Sequence, residues 1–502
     1  MGLAIVYSRA QVEIDAPEVR VEVHLSGGLP RIFIVGLPEA AVKESRDRVR
    51  SALINSGFSF PASRITISLA PADLPKDGSR FDLAIALGIL AASAQIPKQA
   101  LDGYEFIGEL SLAGELRPVS GILPTALAAT RKGRKLIIPE ANQDEAGLLN
   151  SDDVFCAASL LNVVAGLLGR ETLSVAQLTT TISATRNLPD LKNVCGQQHA
   201  IRALTVAASG AHNLLFIGPP GSGKTLLASC MPGILPGLTK AEALEVMAIR
   251  SVAGKPFDAS SFKQPPFQNP HHTASAVAMV GGGSKPRPGE ISLAHCGALF
   301  LDELPEFPRQ VLEVLREPLE SGQIVISRAA RQSTYPAQFQ LLAAMNPCPC
   351  GFSGDRDNNC RCSREQIVRY RQRISGPLLD RIDMQVEVPR LALGKLKNPE
   401  EYSANSTASR KQVSAARVIQ IQRQGCVNAQ LCNEQLQDVC QLQPSDQDFL
   451  IQTCEQLHLS ARAYTRILRL ARSIADMATE ADIQTQHLAE AIAYRRVFNT
   501  HA

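Results

Sequence analysis

The strongest chemical signal in this chain is the octet Gly218-Pro219-Pro220-Gly221-Ser222-Gly223-Lys224-Thr225. It fills the P-loop pattern G-x-x-x-x-G-K-[ST], with an apolar strand pattern before it and a helical pattern after it. Glycines let backbone N–H groups turn inward around phosphate oxygens, and the helix N-terminus adds partial positive charge. Lys224 is expected to reach the β- and γ-phosphates of ATP, and Thr225 to ligate Mg2+. A second apolar run, Leu299-Phe300-Leu301, ends in Asp302-Glu303. Asp302 is the expected magnesium partner, and Glu303 the expected base that polarises the attacking water. An acidic pair at a strand end is often a solvated cap, but behind a P-loop hydrolysis is the better reading.

Three further polar residues suit an oligomeric ATPase. Asn346 ends the apolar run LLAAMN, where it could orient water beside the γ-phosphate. Arg381, in Leu378-Leu379-Asp380-Arg381-Ile382-Asp383, and Arg462, in Leu459-Ser460-Ala461-Arg462, are candidate charge stabilisers. Either could act on a neighbouring subunit's nucleotide; for each alone a surface ion pair is the more common case. Cys348, Cys350, Cys360 and Cys362 form two C-x-C pairs with nine residues between them. Four thiolates suit tetrahedral zinc, with free or redox-active thiols as the alternative. His271 and His272 read as structural hydrogen-bonders, since no third metal ligand lies nearby in sequence.

The elements that must position these residues follow from periodicity. Up to about residue 170 the pattern is mixed α/β. Strands are expected near Val19–Leu25, Arg31–Val35, Ile65–Leu69 and Leu136–Ile138. Helices are expected near Glu39–Ser56, Phe81–Ser93 and Ile122–Lys132. Residues 171–190 are Thr/Ser-rich and read as a linker. From 191 to 390, strands near Asn213–Ile217, Ala298–Leu301 and Phe339–Ala344 alternate with helices, which implies a doubly wound, mostly parallel sheet. Residues 391–502 are helical, with Leu459–Met477 the clearest amphipathic segment.

Composition bounds the partners. The 502 residues suggest two or three domains. A formal charge of +3 is too small for a basic tail binder, so nucleic acid would need a local basic patch. Aromatics are 5% and Trp is absent, which argues against single-strand binding dominated by stacked aromatic platforms. The apolar run Leu83–Ala94 is too short to span a bilayer, and no signal peptide is visible, so a cytoplasmic protein with no membrane partner is expected. Its twelve cysteines should then be reduced thiols or metal ligands.

Taken together, the motifs point to a family. The P-loop, Pro270-His271-His272-Thr273, Met279-Val280-Gly281-Gly282-Gly283, Gly289-Glu290-Ile291-Ser292 and Gly297-Ala298-Leu299-Phe300-Leu301-Asp302-Glu303 resemble those of magnesium-chelatase-like AAA+ ATPases. The resemblance to the ComM/YifB family covers essentially the whole chain. It implies a AAA+ core with a helical lid and assembly into a ring, expected to be a homohexamer. It also implies an ATP-driven DNA helicase or branch-migration activity that promotes recombination of incoming single-stranded DNA in natural transformation. Single-stranded and branched DNA, and recombination proteins, are the implied partners. By the same resemblance Asn346 is the sensor-1 residue, Arg381 the arginine finger and Arg462 the sensor-2 residue. Two insertions then fall where this branch places loops that face a central pore. One carries Lys285 and Arg287, and the other is a hairpin carrying Arg328 and Arg331. These cations would contact phosphates without sequence preference.

The N-terminal half resembles the Lon-protease catalytic domain, through Leu74-Pro75-Lys76-Asp77-Gly78 and Pro118-Val119-Ser120-Gly121. That family's pattern places its nucleophilic serine where this chain has Arg80, with Ser79 one place early. Its lysine position is filled by Leu123. A Ser–Lys dyad needs both groups within hydrogen-bond reach, so no proteolysis is expected. Arg46, Arg48, Arg50 and Arg80 are basic candidates for DNA contact in this domain, though a solvated helix face serves equally for the first three. Two other readings compete with the DNA motor: a magnesium-chelatase motor subunit, and a protein-remodelling ATPase acting on a protein partner.

Overall fold

The structure is a computed structural model that describes residues 2–36, 40–76, 78–179, 188–283, 287–328, 331–354, 360–390 and 404–495. It divides into two compact units, Met1–Ala184 with Ala243–Phe262, and Thr185–Glu242 with Lys263–Ala502.

The first unit is built on an eight-stranded mixed sheet. Across the sheet the strands run Ser174–Val175, Val154–Ala157, Lys135–Pro139, Tyr104–Phe106, Gly2–Arg9, Glu18–Ser26, Arg64–Ala70 and Arg31–Val35. Period-two patterning explains the central strands: Val19, Val21, Val23 and Leu25 are buried while Arg20, Glu22 and His24 are not. The helix Asp82–Ala92 is buried on every side, as its unbroken apolar run requires. Gly88 lets that helix close on the sheet, because a Cβ there would sit 2.5 Å from Val23 Cγ2. Ser174–Val175, inside the stretch read as linker, pairs with Phe155 and Cys156 as an edge strand. Ala243–Phe262, which sequence alone leaves within residues 191–390, joins this unit through Met247 and Ala248, packed with Leu123 and Leu148.

The second unit carries a five-stranded sheet, every adjacent pair parallel. Its order is Phe267–Gln268, Ala298–Leu301, Gln340–Met345, Leu214–Ile217 and Met384–Glu387. The Gln340–Met345 and Leu214–Ile217 strands are wholly buried, as parallel strands covered on both faces must be. The expected doubly wound parallel sheet is therefore present. The helices Ser406–Gln424, Asn433–Val439, Pro444–Gln456, Ala461–Met477 and Thr485–Ala493 form the C-terminal region. Ile467, Leu470, Ile474 and Leu488 share one core with Leu214 and Phe216. A buried polar network reinforces that core. His212 Nε2 lies 2.7 Å from Ser473 Oγ, Arg466 pairs with Asp383, and Arg423 pairs with Asp476 at 2.7 Å. Burial pushes the Asp383 carboxyl up, but Arg466 and His212 outweigh it and hold the group below the usual carboxylate range.

Candidate active site

The strand Leu214–Ile217 delivers the chain to Gly218, where a Cβ would lie 2.1 Å from the Val388 carbonyl oxygen. Only glycine permits that approach. Gly223, at φ +93°, takes the left-handed turn that starts the helix Lys224–Ser229. Lys224 is buried and donates through Nζ to the carbonyls of Gly218 at 2.7 Å and Pro219 at 2.9 Å. It also donates to Asn346 Oδ1 at 3.2 Å. Burial lowers the Lys224 pKa, and the nearby Asp302 and Glu303 oppose that shift.

The acidic strand end meets the P-loop directly. Thr225 Oγ1 donates to Asp302 Oδ2 at 2.6 Å, so a hydroxyl and a carboxylate present adjacent oxygen donors. That donor set fits Mg2+, which takes few protein oxygens and keeps places for phosphate and water. The other carboxylate oxygen, Asp302 Oδ1, accepts from the Glu303 backbone N–H at 2.9 Å. Glu303 itself holds φ +53°, a left-handed conformation uncommon for a residue with a side chain. Its half-exposed carboxylate lies 3.1 Å from His272 Nδ1. Local sequence missed this contact. His272 was visible as one of a histidine pair, but its partner stands on the neighbouring strand's far loop, a relation set only by sheet pairing.

The structure thus brings together Lys224, Thr225, Asp302, Glu303 and Asn346, which are scattered over three segments of the sequence. It gives Arg381 other company. That side chain is largely buried, with Nη2 2.5 Å from Glu320 Oε1 and Nη1 donating to the Pro377 carbonyl at 2.7 Å. Arg462 is exposed in the first turn of the helix Ala461–Met477.

The expected pore loops are two hairpins. Gly282 pairs with Arg287 in a short antiparallel ladder, and Arg287 is exposed. Lys285 lies outside the described residues. The second hairpin, Gln323–Arg328 with Arg331–Pro336, sets Arg328 opposite Arg331 at its tip. A Cβ at Gly281 would meet Ile326 Cδ1 at 3.0 Å, so the two hairpins pack side by side.

The four clustered cysteines place their sulfurs within 4.8 Å of one another. Burial pushes the Cys350 thiol up, but the Phe352 and Arg361 amides and the neighbouring thiols outweigh it, lowering it to about 6. In the first unit the sites of the Lon-like motifs are occupied by internal bonds. Ser79 Oγ donates to Glu109, and Arg80 Nη2 donates to the Ser120 carbonyl at 3.2 Å and to Thr125 Oγ1 at 3.3 Å. Arg48 pairs with Asp82 at 2.8 Å, Arg46 with Asp47 at 3.2 Å, and Arg50 lies over the Phe60 ring. Among the described residues no helix is long and apolar enough to cross a membrane.

Comparison with known proteins covers nearly the whole chain. The family described as subunit ChlI of Mg-chelatase matches residues 21–142, magnesium chelatase subunit ChlI matches 190–396, and the ChlI C-terminal family matches 403–495. The competence protein ComM of Haemophilus influenzae is 51% identical over 99% of this chain and 98% of its own length. The protein YifB of Escherichia coli is 49% identical over the same shares. A Lon protease of Chloroflexus aurantiacus is 34% identical over 149 residues, 30% of this chain and 17% of its own.

Proposed function

The chain belongs to the ComM/YifB family of magnesium-chelatase-like AAA+ ATPases, and from that premise we propose that it is an ATP-driven, ring-shaped DNA motor. Its task is helicase or branch-migration activity that promotes recombination of incoming single-stranded DNA. The observation that carries the ATPase half is the convergence of Lys224, Thr225, Asp302, Glu303 and Asn346 at one strand edge. The DNA half is supported by the similarity to a competence protein and by the two adjacent arginine-bearing hairpins.

Each side chain has a distinct task. Lys224 exchanges its carbonyl partners for phosphate oxygens, retaining Asn346 as a neighbour. Mg2+ held by Thr225 and Asp302 would neutralise phosphate charge. Glu303, aimed by its backbone conformation and by His272, accepts a proton from the attacking water. Arg381 must leave Glu320 to reach a neighbouring subunit's γ-phosphate, and Arg462 serves as the lid's charge stabiliser. The homohexamer supplies those shared sites. The cysteine cluster holds one structural Zn2+. The N-terminal unit works without peptide hydrolysis, since Arg80 stands at the nucleophile position and is bonded to Ser120 and Thr125.

The test is hydrolysis and strand exchange by the purified protein on labelled fork and Holliday-type DNA. DNA-stimulated hydrolysis with ATP-dependent movement of the branch point is the expected result. ATP turnover that ignores DNA and responds to a protein partner would favour the remodelling reading.

A further inference from the structure

The cysteine cluster and the nucleotide site meet at a single turn. Cys348 Sγ lies 3.4 Å from Cys350 Sγ and 3.8 Å from Cys360 Sγ, and Cys350 and Cys360 are 3.6 Å apart. A disulfide needs an S–S distance of about 2.05 Å. Thiolates about 2.3 Å from a tetrahedral zinc ion stand roughly 3.8 Å from each other, close to the 3.4–3.8 Å among these three sulfurs. A backbone amide points at the buried sulfur of the cluster. The Ser353 amide donates to Cys348 Sγ at 3.2 Å. Such a donor stabilises negative sulfur and orients it for a metal.

The turn made by the first pair closes at the next residue, Gly351, at φ +87°, whose N–H donates to the Cys348 carbonyl at 2.9 Å. A Cβ on it would sit 2.5 Å from Pro220 Cδ and 3.8 Å from Asn346 Cγ. Pro220 is a P-loop residue, and Asn346 accepts from Lys224, whose ammonium also holds Pro219. Cys348, only two residues beyond Asn346, is fully buried. Glycine-tight packing thus connects the four-sulfur cluster to both sides of the phosphate cradle.

Resting on the zinc assignment above, we infer that a tetrathiolate metal centre clamps the Gly351 turn against Pro220 and Asn346 and thereby sets the P-loop's affinity for nucleotide. Without the metal, nothing ties the four sulfurs to one point, the turn loses its anchor, and Asn346 and Pro220 lose their backing. The clamp acts by position alone, through the packing of the Gly351 turn on Pro220 and Asn346.

The experiment uses the full chain. Zinc per chain is measured by elemental analysis, and the affinity for a fluorescent ATP analogue by titration in excess Mg2+. Both are done on protein as purified, after stripping with a thiol-competitive chelator that is then removed, and after refilling with zinc. One zinc per chain, a nucleotide Kd at least tenfold weaker on stripping, and recovery on refilling are expected. Gly351→Ala keeps all four sulfurs, so it should retain zinc yet bind the analogue several-fold more weakly. That variant still reads whether the position of the turn reaches the P-loop if the stripped protein unfolds, while stripping and refilling read the metal's part. Zinc present, with Kd unchanged both on stripping and in Gly351→Ala, would overturn the clamp and leave the zinc site standing. Protein that neither contains nor takes up zinc would overturn the zinc assignment, and the clamp with it.

Discussion

In the N-terminal unit Arg9 grips Glu105 through two hydrogen bonds, both side chains buried, and Arg48 and Ser45 together satisfy the buried Asp82. In the ATPase unit Asp302 and Glu303 stand at a strand end, one bonded to a threonine hydroxyl and the other half exposed beside a histidine. The two units draw on the same residue types beside strands and helices. The first closes these groups upon each other; the second, which also holds closed pairs such as Arg466 with Asp383 and Arg423 with Asp476, leaves Asp302 and Glu303 beside a cradle of glycine. Polar groups that satisfy each other in the interior specify a fold, while groups held at an open edge remain available to a ligand. Even Ser79 and Arg80, at the site of a protease motif, belong to the first kind, because each is bonded to its own unit.

Substitutions can break this contrast, beginning with the largest effect. Lys224→Ala should reduce nucleotide binding and turnover to background, measured by titration and phosphate release. Glu303→Gln should keep binding and lower turnover on the order of 10²–10⁴-fold, as expected for loss of a general base. Arg381→Ala should bind ATP but lose about 10³-fold in turnover if it acts as an arginine finger. Mixing it with Lys224→Ala subunits tests action in trans: some interfaces then carry one intact site, so activity should return. Confirmed mixed rings without recovery would count against it.

Asp82→Ala probes the closed kind of site. It should destabilise the N-terminal unit by about 3 kcal/mol, since it strands the Arg48 guanidinium in a partly buried position. Thermal melting should fall while the Kd for ATP stays put; a parallel loss of ATP affinity would mean the two classes of site are not separate. A smaller effect is expected from replacing Lys285, Arg287, Arg328 and Arg331 together by Ala. Basal hydrolysis should survive, and the salt slope of single-strand binding should flatten by about 3 as four phosphate contacts vanish. Equal slopes for wild type and variant would remove the hairpins from the DNA path. Ser79→Ala should cost about 1 kcal/mol or less, the worth of one hydrogen bond. Loss of any peptidase activity in this variant would show that the protease-like site is not closed.

The local elements were readable because their signals are periodic and contiguous. The helix expected near Phe81–Ser93 is observed as Asp82–Ala92, and the strand expected near Ile65–Leu69 as Arg64–Ala70. Short strands such as Tyr104–Phe106 and Val154–Ala157 were not readable, because three or four residues are too few to display a period. The P-loop was legible for a related reason: its backbone turns and its lysine lie within eight consecutive residues. The pairing of His272 with Glu303 was not, and neither was the hold of Glu320 on Arg381.

Sequence by itself determined the chemistry available to this protein. It specified the glycine-rich P-loop pattern with its lysine and threonine, the acidic strand end, the four cysteines, and Arg80 next to Ser79 in the Lon-like motif. Those properties belong to residue identity and short spacing, which no folding is needed to read. Only the tertiary structure decided which of these groups meet. Parallel pairing of Leu214–Ile217, Ala298–Leu301 and Gln340–Met345 brings three distant strand ends to one edge, and with them Lys224, Asp302 and Asn346. Close packing at Gly351 sets the cysteine turn on the P-loop. Burial, in turn, closes Asp82 and Arg80 into internal bonds and leaves Glu303 open. Such contacts depend on the register and packing of segments far apart in the chain, and local sequence carries no record of them.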